Sequence, residues 1–423
     1  MPIISPKAIY WGKTLSKFVS IQLFIQALGF ASGILLVRTL DKQQYAYFTI
    51  ASTMQGTMHL LADSGINSGL TAIGGKVWQD PYRFGQLINT ALQLRLYLAI
   101  VTIITVTPIL LWMLISNGAS VIYAISIVAA VLVAVNAELT TGVLDVVPRM
   151  RSQLRRVQNL DLIPICARFV LLCGAYLTYL NAMVAVLTAS ISLIMKRFIV
   201  SRWVTDSIDI EAPVHKEDRA KIIEIIKQQA PTAVFYCIQG QLTVWLISIF
   251  GSTRDIAEIG ALGRIGMIYI LISSIMTSIV LPSFARCQSP SSLHRRYWQI
   301  LGIYCLFSVG IVGITGLFPS QFLWILGKKY AHLKNELFLI VINSVIQSFV
   351  GIMWSINCSK AWTQHTWLYI PLTLTTQVGL LVLLDVSTIR GVILFGIFTA
   401  IPHLFLNFYM TYEGLKTSVY NQA

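Results

Sequence analysis

Apolar runs long enough to cross a lipid bilayer alternate with short polar stretches along the whole chain. Reading spans by apolar length and breaks by charge and turn residues predicts six helices in the first half: Leu15–Val37, Tyr45–Ile66, Gln86–Ile115, Ser120–Leu144, Leu160–Leu180 and Ala182–Val204. A polar segment from Asp206 to Lys227 follows. Six more helices are predicted at Gln228–Phe250, Ile259–Phe284, Tyr297–Leu317, Leu337–Asn357, Trp367–Leu384 and Ile389–Tyr409. A spanning helix needs about 20 apolar residues for a hydrocarbon core of about 30 Å. The pattern is that of an all-α polytopic membrane protein of about twelve transmembrane helices.

Composition strengthens this picture. Of the 423 residues, 56% are hydrophobic and only 11% charged, whereas a soluble domain carries about a quarter charged residues. The formal charge of +14 does not point to nucleic acid, because the basic residues sit in short loops between apolar spans and form no continuous basic face. With the N-terminus inside and an even number of spans, 21 of the 31 basic residues fall on the cytosolic side and 7 on the outer side. Such a bias places both termini in the cytosol of a multi-pass inner-membrane protein. The first apolar stretch has no small-residue cleavage site and reads as a retained helix. The six cysteines show no CxxC pair or metal spacing, so no disulfide is expected.

The two halves resemble each other at an offset of about 210 to 218 residues. The first helix ends LLVRTLDKQQYAYF (Leu35–Phe48) and the seventh ends LISIFGSTRDIAEIGAL (Leu246–Leu262), which pairs Tyr45 and Ala46 with Ile259 and Gly260. Both helices start on the same side, so the repeats are parallel. The expected organisation is an N-terminal lobe at 1–205, a cytosolic linker at 206–227 and a C-terminal lobe at 228–423, each lobe holding six helices. No Walker A loop, GxSxG elbow, HExxH run or Cys/His ligand set occurs, so neither an enzyme nor a cofactor or metal is expected. The polar segment is too short for a nucleotide-binding domain, which leaves an ion gradient or the cargo gradient as the driving force.

The first hairpin carries Leu36, Val37, Arg38, Leu40 and Tyr45, and the second helix ends with Asp63, Gly65 and Ile66. These residues resemble the LVxRxLGPxEYG hairpin and DxG(I/L) turn of the Wzx-type polysaccharide flippases, within the multidrug/oligosaccharidyl-lipid/polysaccharide (MOP) exporter superfamily. In the second half, GALGR (Gly260–Arg264) and LPSFAR (Leu281–Arg286) are similar to that family's GLYxxAxR and FPxxSR. Asp41 and Ala46 replace the usual hairpin glycines, and Thr243 stands where many relatives have an aspartate. The resemblance implies a V-shaped bundle of two lobes like that of MATE transporters. It implies alternating-access transfer of an undecaprenyl-pyrophosphate-linked oligosaccharide from the cytosolic to the periplasmic leaflet. Expected partners are the lipid bilayer, the lipid-linked oligosaccharide, and a polysaccharide polymerase and chain-length regulator of the same pathway, with no nucleic acid. A multidrug or small-molecule exporter of the same superfamily is the alternative.

Charged residues inside the spans are the candidate site. Arg168 lies about eight residues, or about 12 Å, into its helix from the cytosolic end. Asp63 and Glu138, counted from the opposite ends, fall near the same level. Two readings stand: a wet cleft in which Arg168 meets phosphate and an acid exchanges a proton, or a buried salt bridge that holds the lobe together. Arg264, about 7 Å inside the eighth helix, either contacts substrate or snorkels to the interface. Arg38 either clamps the hairpin or touches substrate. Arg95 is expected near the interface, where an arginine needs no partner, and His403 is expected to be a satisfied core histidine.

Overall fold

A computed structural model of the chain describes residues 6–420, apart from 152, 210, 268, 270–275, 277–280, 282, 283, 285–289 and 361. The chain divides into two compact units, Met1–Leu242 and Thr243–Ala423.

In the first unit α1 covers Pro6–Thr39 and α2 covers Lys42–Asp63, with α2 started by the Asp41 carboxylate, which accepts a hydrogen bond from the Gln44 N–H at 2.7 Å. The second helix was expected to run to Ile66. It stops at Asp63, because Ser64 (φ 26°) and Gly65 (φ 102°) both take positive φ. A side chain at Gly65 would also meet Gln229 at 3.0 Å. Beyond this break α3 (Ile66–Val77) lies in a stretch read from sequence as a loop. It is amphipathic, burying Ile66, Gly69, Leu70 and Gly74 on one face. The helix α4 (Pro81–Ser116) begins five residues before the expected Gln86, because Asp80 caps the Tyr82 and Arg83 N–H groups and Pro81 occupies the first helical position. Then come α5 (Val121–Leu144, capped by Ser120), the short α6 (Val146–Met150), α7 (Leu154–Thr178) and α8 (Ala182–Thr205, capped by Asn181).

The next helix, α9, runs unbroken from Lys216 to Phe250, so half of the segment read as a linker is helical. Two causes are visible. Glu217 and Asp218 in its first turn favour the positive end of the helix dipole. Arg83 grips the buried Asp218 through two hydrogen bonds of 2.5 and 2.8 Å. Ile222, one turn further, is buried in a core with Ile66, Leu70, Phe84, Leu87, Val143, Leu160 and Val200. This core ties the first third of α9 to the first unit.

In the second unit α10 (Thr253–Gly266) starts with a capping box between Ser252 and Asp255. The expected helix Ile259–Phe284 can be followed to Gly266, and most of its remainder lies outside the described residues. After it come α11 (Pro290–Leu317), α12 (Pro319–Leu326), α13 (Lys334–Ser359), α14 (Tyr369–Leu383) and α15 (Ile389–Tyr420). Where α13 meets α15, Asn357 and Asn407 are wholly buried. The Asn357 Nδ2 donates to the Asn407 side-chain and main-chain oxygens, both at 3.1 Å, and Thr411 donates to Asn357 Oδ1 at 2.7 Å. Polar side chains in such a contact join helices that lipid gives no hydrophobic reason to associate. His403 shares a hydrogen bond with the Thr373 hydroxyl, in line with the core role expected of it.

The internal repeat survives with a revised register. The starts of α2 and α10, Lys42 and Thr253, lie 211 residues apart, as do the ends of α1 and α9, Thr39 and Phe250. Tyr45 and Ala46 therefore match Ile256 and Ala257, all fully buried, in place of Ile259 and Gly260. The caps Asp41 and Ser252 set the phase, and an alignment on side-chain size alone slips by nearly a turn.

Among the described residues ten helices, α4, α5, α7, α8, α9, α11, α13 and α15 included, are long and apolar enough to cross a membrane. The helix α2 falls short because it carries Gln43, Gln44, Gln55, His59 and Asp63. Exposed apolar side chains such as Ile104, Ile122, Leu177, Leu306, Val382 and Phe405 would be costly in water and suit lipid. The chain is an all-α multi-pass membrane protein.

Candidate functional site

Three polar residues of α2 fall on one face. Gln55, His59 and Asp63 are spaced by four, which stacks them along the helix. Across from this stripe stand Arg95 of α4 and Glu138 of α5. The Arg95 Nη1 lies 3.7 Å from Asp63 Oδ1, and its Nη2 lies 3.4 Å from His59 Nε2. The His59 Nε2 is 3.9 Å from Glu138 Oε1, and Gln55 Nε2 donates to Glu138 Oε2 at 3.1 Å. Three helices thus carry five polar side chains in a single connected run inside the first unit.

Arg95 and Glu138 lie inside their helices, whereas Asp63 is the last residue of α2. Arg95 is fourteen residues, about 21 Å, beyond Pro81, and Glu138 is seventeen residues, about 26 Å, beyond Val121. The Arg95 side chain is 1% exposed, whereas those of Asp63, His59 and Glu138 are 27%, 30% and 28% exposed. The cation lies beneath the partly exposed Asp63, His59 and Glu138. Gly142, one turn after Glu138, makes room for the guanidinium: a Cβ there would sit 2.6 Å from Arg95 Nη1. The Arg95 Nε and Nη1 and the Asp63 Oδ1 are buried without a hydrogen-bond partner. An ion pair at 3.7 Å leaves those donors only partly compensated.

The expectation that Arg95 needs no partner is corrected. Its neighbours bury it, because the helix starts earlier than the apolar run suggested and Gly142 opens a slot. The two acids are brought together, but around Arg95 and His59. Arg168 is half-buried on α7, and Arg38 is exposed at the end of α1. In the second unit Arg264 is half-buried on α10, its Nη1 3.8 Å from the Met267 sulfur. His59 was missed from sequence, although its four-residue spacing with Gln55 and Asp63 was the available signal.

The second unit has its own charged group near the start of α10. Glu258, 4% exposed, receives the Arg254 Nε at 2.9 Å and lies 3.0 Å from His332 Nε2. The carboxylate holds the Arg254 guanidinium above its usual range. In the repeat register this pair matches Gln43 and Tyr47, which are also hydrogen-bonded, at 2.7 Å, and also reach the turn before the next long helix, where Tyr47 donates to the Asn117 carbonyl at 3.3 Å. The same latch is neutral in one unit and charged in the other.

Fold and site together define a polytopic helical membrane protein with an ionisable cluster inside its first unit. No family model and no curated protein sequence matches the chain. Its fold is that of solved MATE transporters of the MOP superfamily. Similar structures are an inward-facing conformation of a multidrug resistance MATE family transporter (TM-score 0.63, 15% identity, covering 94% of this chain and 99% of the other) and an outward-facing conformation of such a transporter (0.63, 15%, 96% and 95%). A third is a MOP superfamily transporter from Pyrococcus furiosus, described as having a binding pocket of reverse polarity that suggests a different function (0.59, 16%, 95% and 95%).

Proposed function

We propose that the chain is an ion-gradient-coupled transporter that moves an undecaprenyl-pyrophosphate-linked oligosaccharide from the cytosolic to the periplasmic leaflet of a bacterial inner membrane. The observation that carries the transport reading is the Asp63–Arg95–His59–Glu138 cluster, with Arg95 and Glu138 inside apolar spans of a MOP-type fold. Ionisable groups at that depth are expensive and are kept mainly on ion or substrate pathways. The cargo follows from chemistry and from the hairpin motifs. A pyrophosphate headgroup needs cationic, hydrogen-bonding partners, and Arg38, Arg168 and Arg264 supply guanidinium groups on or beside the spans. The polyprenyl tail can stay in lipid while the headgroup crosses by alternating access of the lobes at 1–205 and 228–423. The polymerase and chain-length regulator of the same pathway are the natural partners on the receiving side.

A cell lacking the gene, and any paralogue, is expected to retain lipid-linked repeat units on the cytosolic leaflet and to lose surface polysaccharide. Unchanged polysaccharide and an unchanged leaflet distribution would refute the cargo. Export of small molecules is the second reading, favoured by the partly exposed carboxylates of Asp63 and Glu138. It predicts altered sensitivity to cationic drugs with polysaccharide intact.

A further inference from the structure

Cations outnumber their acid partners where α7 begins and α8 ends. Asp145 is shared by Arg149 at 3.1 Å and Lys196 at 3.5 Å, and Lys196 also reaches Asp161 at 2.9 Å. Arg151 donates to the Ser207 carbonyl, and Arg156 donates to the Trp203 carbonyl at 3.3 Å with Asp206 3.8 Å away. Among the described residues, Arg155, Arg197 and Arg202 of the same region have no acid partner, and all three are exposed. Arg197 lies eight residues, about 12 Å, before the end of α8 and is held by the neutral Asn136 at 2.7 Å. Arg155 and Arg202 remain, at the helix ends themselves.

The bond from Arg156 to Trp203 sets the start of α7 against the end of α8. Arg155 and Arg202 each precede a member of that contact, so they are carried on adjoining helix ends. Both helices have the length and apolarity of a span, at Arg155–Thr178 and Ala182–Thr205. Arg155 is thus the first residue of its span, and Arg202 lies three residues, about 4.5 Å, before the end of its own. The Arg202 guanidinium carbon stands 4.3 Å from the centroid of the exposed Phe198 ring. With Ile191, Ile194 and Met195, exposed at the same helical spacing, Phe198 makes an apolar stripe on α8 that runs up to Arg202. The stripe suits hydrocarbon, and the two guanidinium groups suit the level where hydrocarbon gives way to headgroups.

We infer that the adjoining ends of α7 and α8 form a binding site for an anionic phospholipid, its phosphate on Arg155 and Arg202 and an acyl chain along the stripe that ends at Phe198. Charge and apolarity select this occupant together. A soluble anion would meet the cations but leave the stripe uncovered. A zwitterionic lipid would cover the stripe but bring an ammonium group toward guanidinium groups that no acid offsets. An anionic lipid satisfies both, and basic groups at the membrane surface attract such lipids. Stacking on Phe198 leaves the N–H edge of Arg202 available, and that edge fits two phosphate oxygens at once. The site is separate from the Asp63–Arg95–His59–Glu138 cluster, goes beyond the transport reading and requires no particular cargo.

The test is native mass spectrometry of the purified full chain with phosphatidylglycerol or phosphatidylethanolamine added at known concentrations. The wild type is expected to hold phosphatidylglycerol the more tightly. Arg155→Gln and Arg202→Gln are each expected to weaken that binding about fivefold and to leave phosphatidylethanolamine unaffected. Phe198→Leu, which keeps every charge, is expected to weaken it about twofold. Lys221→Gln removes an exposed cation of α9 and is expected to change nothing, which separates a built site from net charge. Equal affinity for the two lipids, or the same loss in Lys221→Gln as in Arg202→Gln, would overturn the inference. Displacement of phosphatidylglycerol by an equal concentration of glycerol phosphate would assign the cations to a soluble anion and overturn it as well. No cargo is present, so failure here is distinct from failure of the transport reading.

Discussion

The grip of Arg83 on Asp218 predicts an asymmetry between its two partners. Asp218 is 1% exposed and Arg83 27%, so removing one is not equivalent to removing the other. Arg83→Ala leaves a buried carboxylate 3.5 Å from the Nδ1 of His215, a nitrogen that accepts from the Asp218 N–H and so cannot donate to the carboxylate. Breaking a buried pair from this side costs about 3–5 kcal/mol, and the partial exposure of Arg83 places the expected loss at the lower end, about 3 kcal/mol. Asp218→Ala instead frees a guanidinium that can turn to water, and is expected to cost about 1 kcal/mol. Unfolding of the purified protein and both variants in one detergent, followed through tryptophan fluorescence, measures the difference. Proteolysis between 206 and 227 should rise in Arg83→Ala, since this contact holds the start of α9. Equal costs for the two variants, or a loss below about 0.5 kcal/mol for Arg83→Ala, would refute the reasoning.

Three further outcomes follow from the same structure. Asn357→Leu, which removes the buried partner of Asn407 and Thr411, should destabilise the second unit by about 1–2 kcal/mol in the same unfolding assay, while Ser355→Ala on the exposed face of α13 should be neutral. Gly142→Ala should displace Arg95 and reduce transport, with protein level in the membrane unchanged; a fully active variant would show that the slot is not needed. Two hydrogen bonds from Ser387 hold Asp385 below the usual carboxylate range, so Ser387→Ala should move its titration, read by carboxylate NMR, back up. The small stability this turn contributes is present at neutral pH and fades as pH falls through the lowered value.

Much of the fold was legible because one physical quantity, apolar length, governs it. The helices α4, α5, α7, α8, α11, α13, α14 and α15 stand where the apolar runs do, whereas the short α6 and α12 lie in stretches read as loops. Their ends were harder, although the information was present: Asp80 followed by Pro81 starts α4, and Asp218 facing Arg83 starts α9 inside a polar segment. The break at Ser64–Gly65 and the amphipathic α3 lay beyond a hydropathy argument, since α3 has only a few buried positions and belongs to no span. At the site, both acids stood out as charges in apolar surroundings. Arg95 did not, because its burial depends on Gly142 of another helix, and contacts across helices leave no period in the sequence. His59 was readable only by joining it to Gln55 and Asp63 through their common spacing.

The proposed function is transfer of a lipid-linked saccharide between leaflets. The most direct test is purified protein in liposomes that hold a fluorescent undecaprenyl-pyrophosphate-linked oligosaccharide in one leaflet, with appearance in the other followed after a pH gradient is imposed. Protein-dependent transfer that speeds up with the gradient and slows in His59→Gln is the predicted result. No transfer from vesicles in which the same protein moves a lipophilic cation against that gradient would contradict the account.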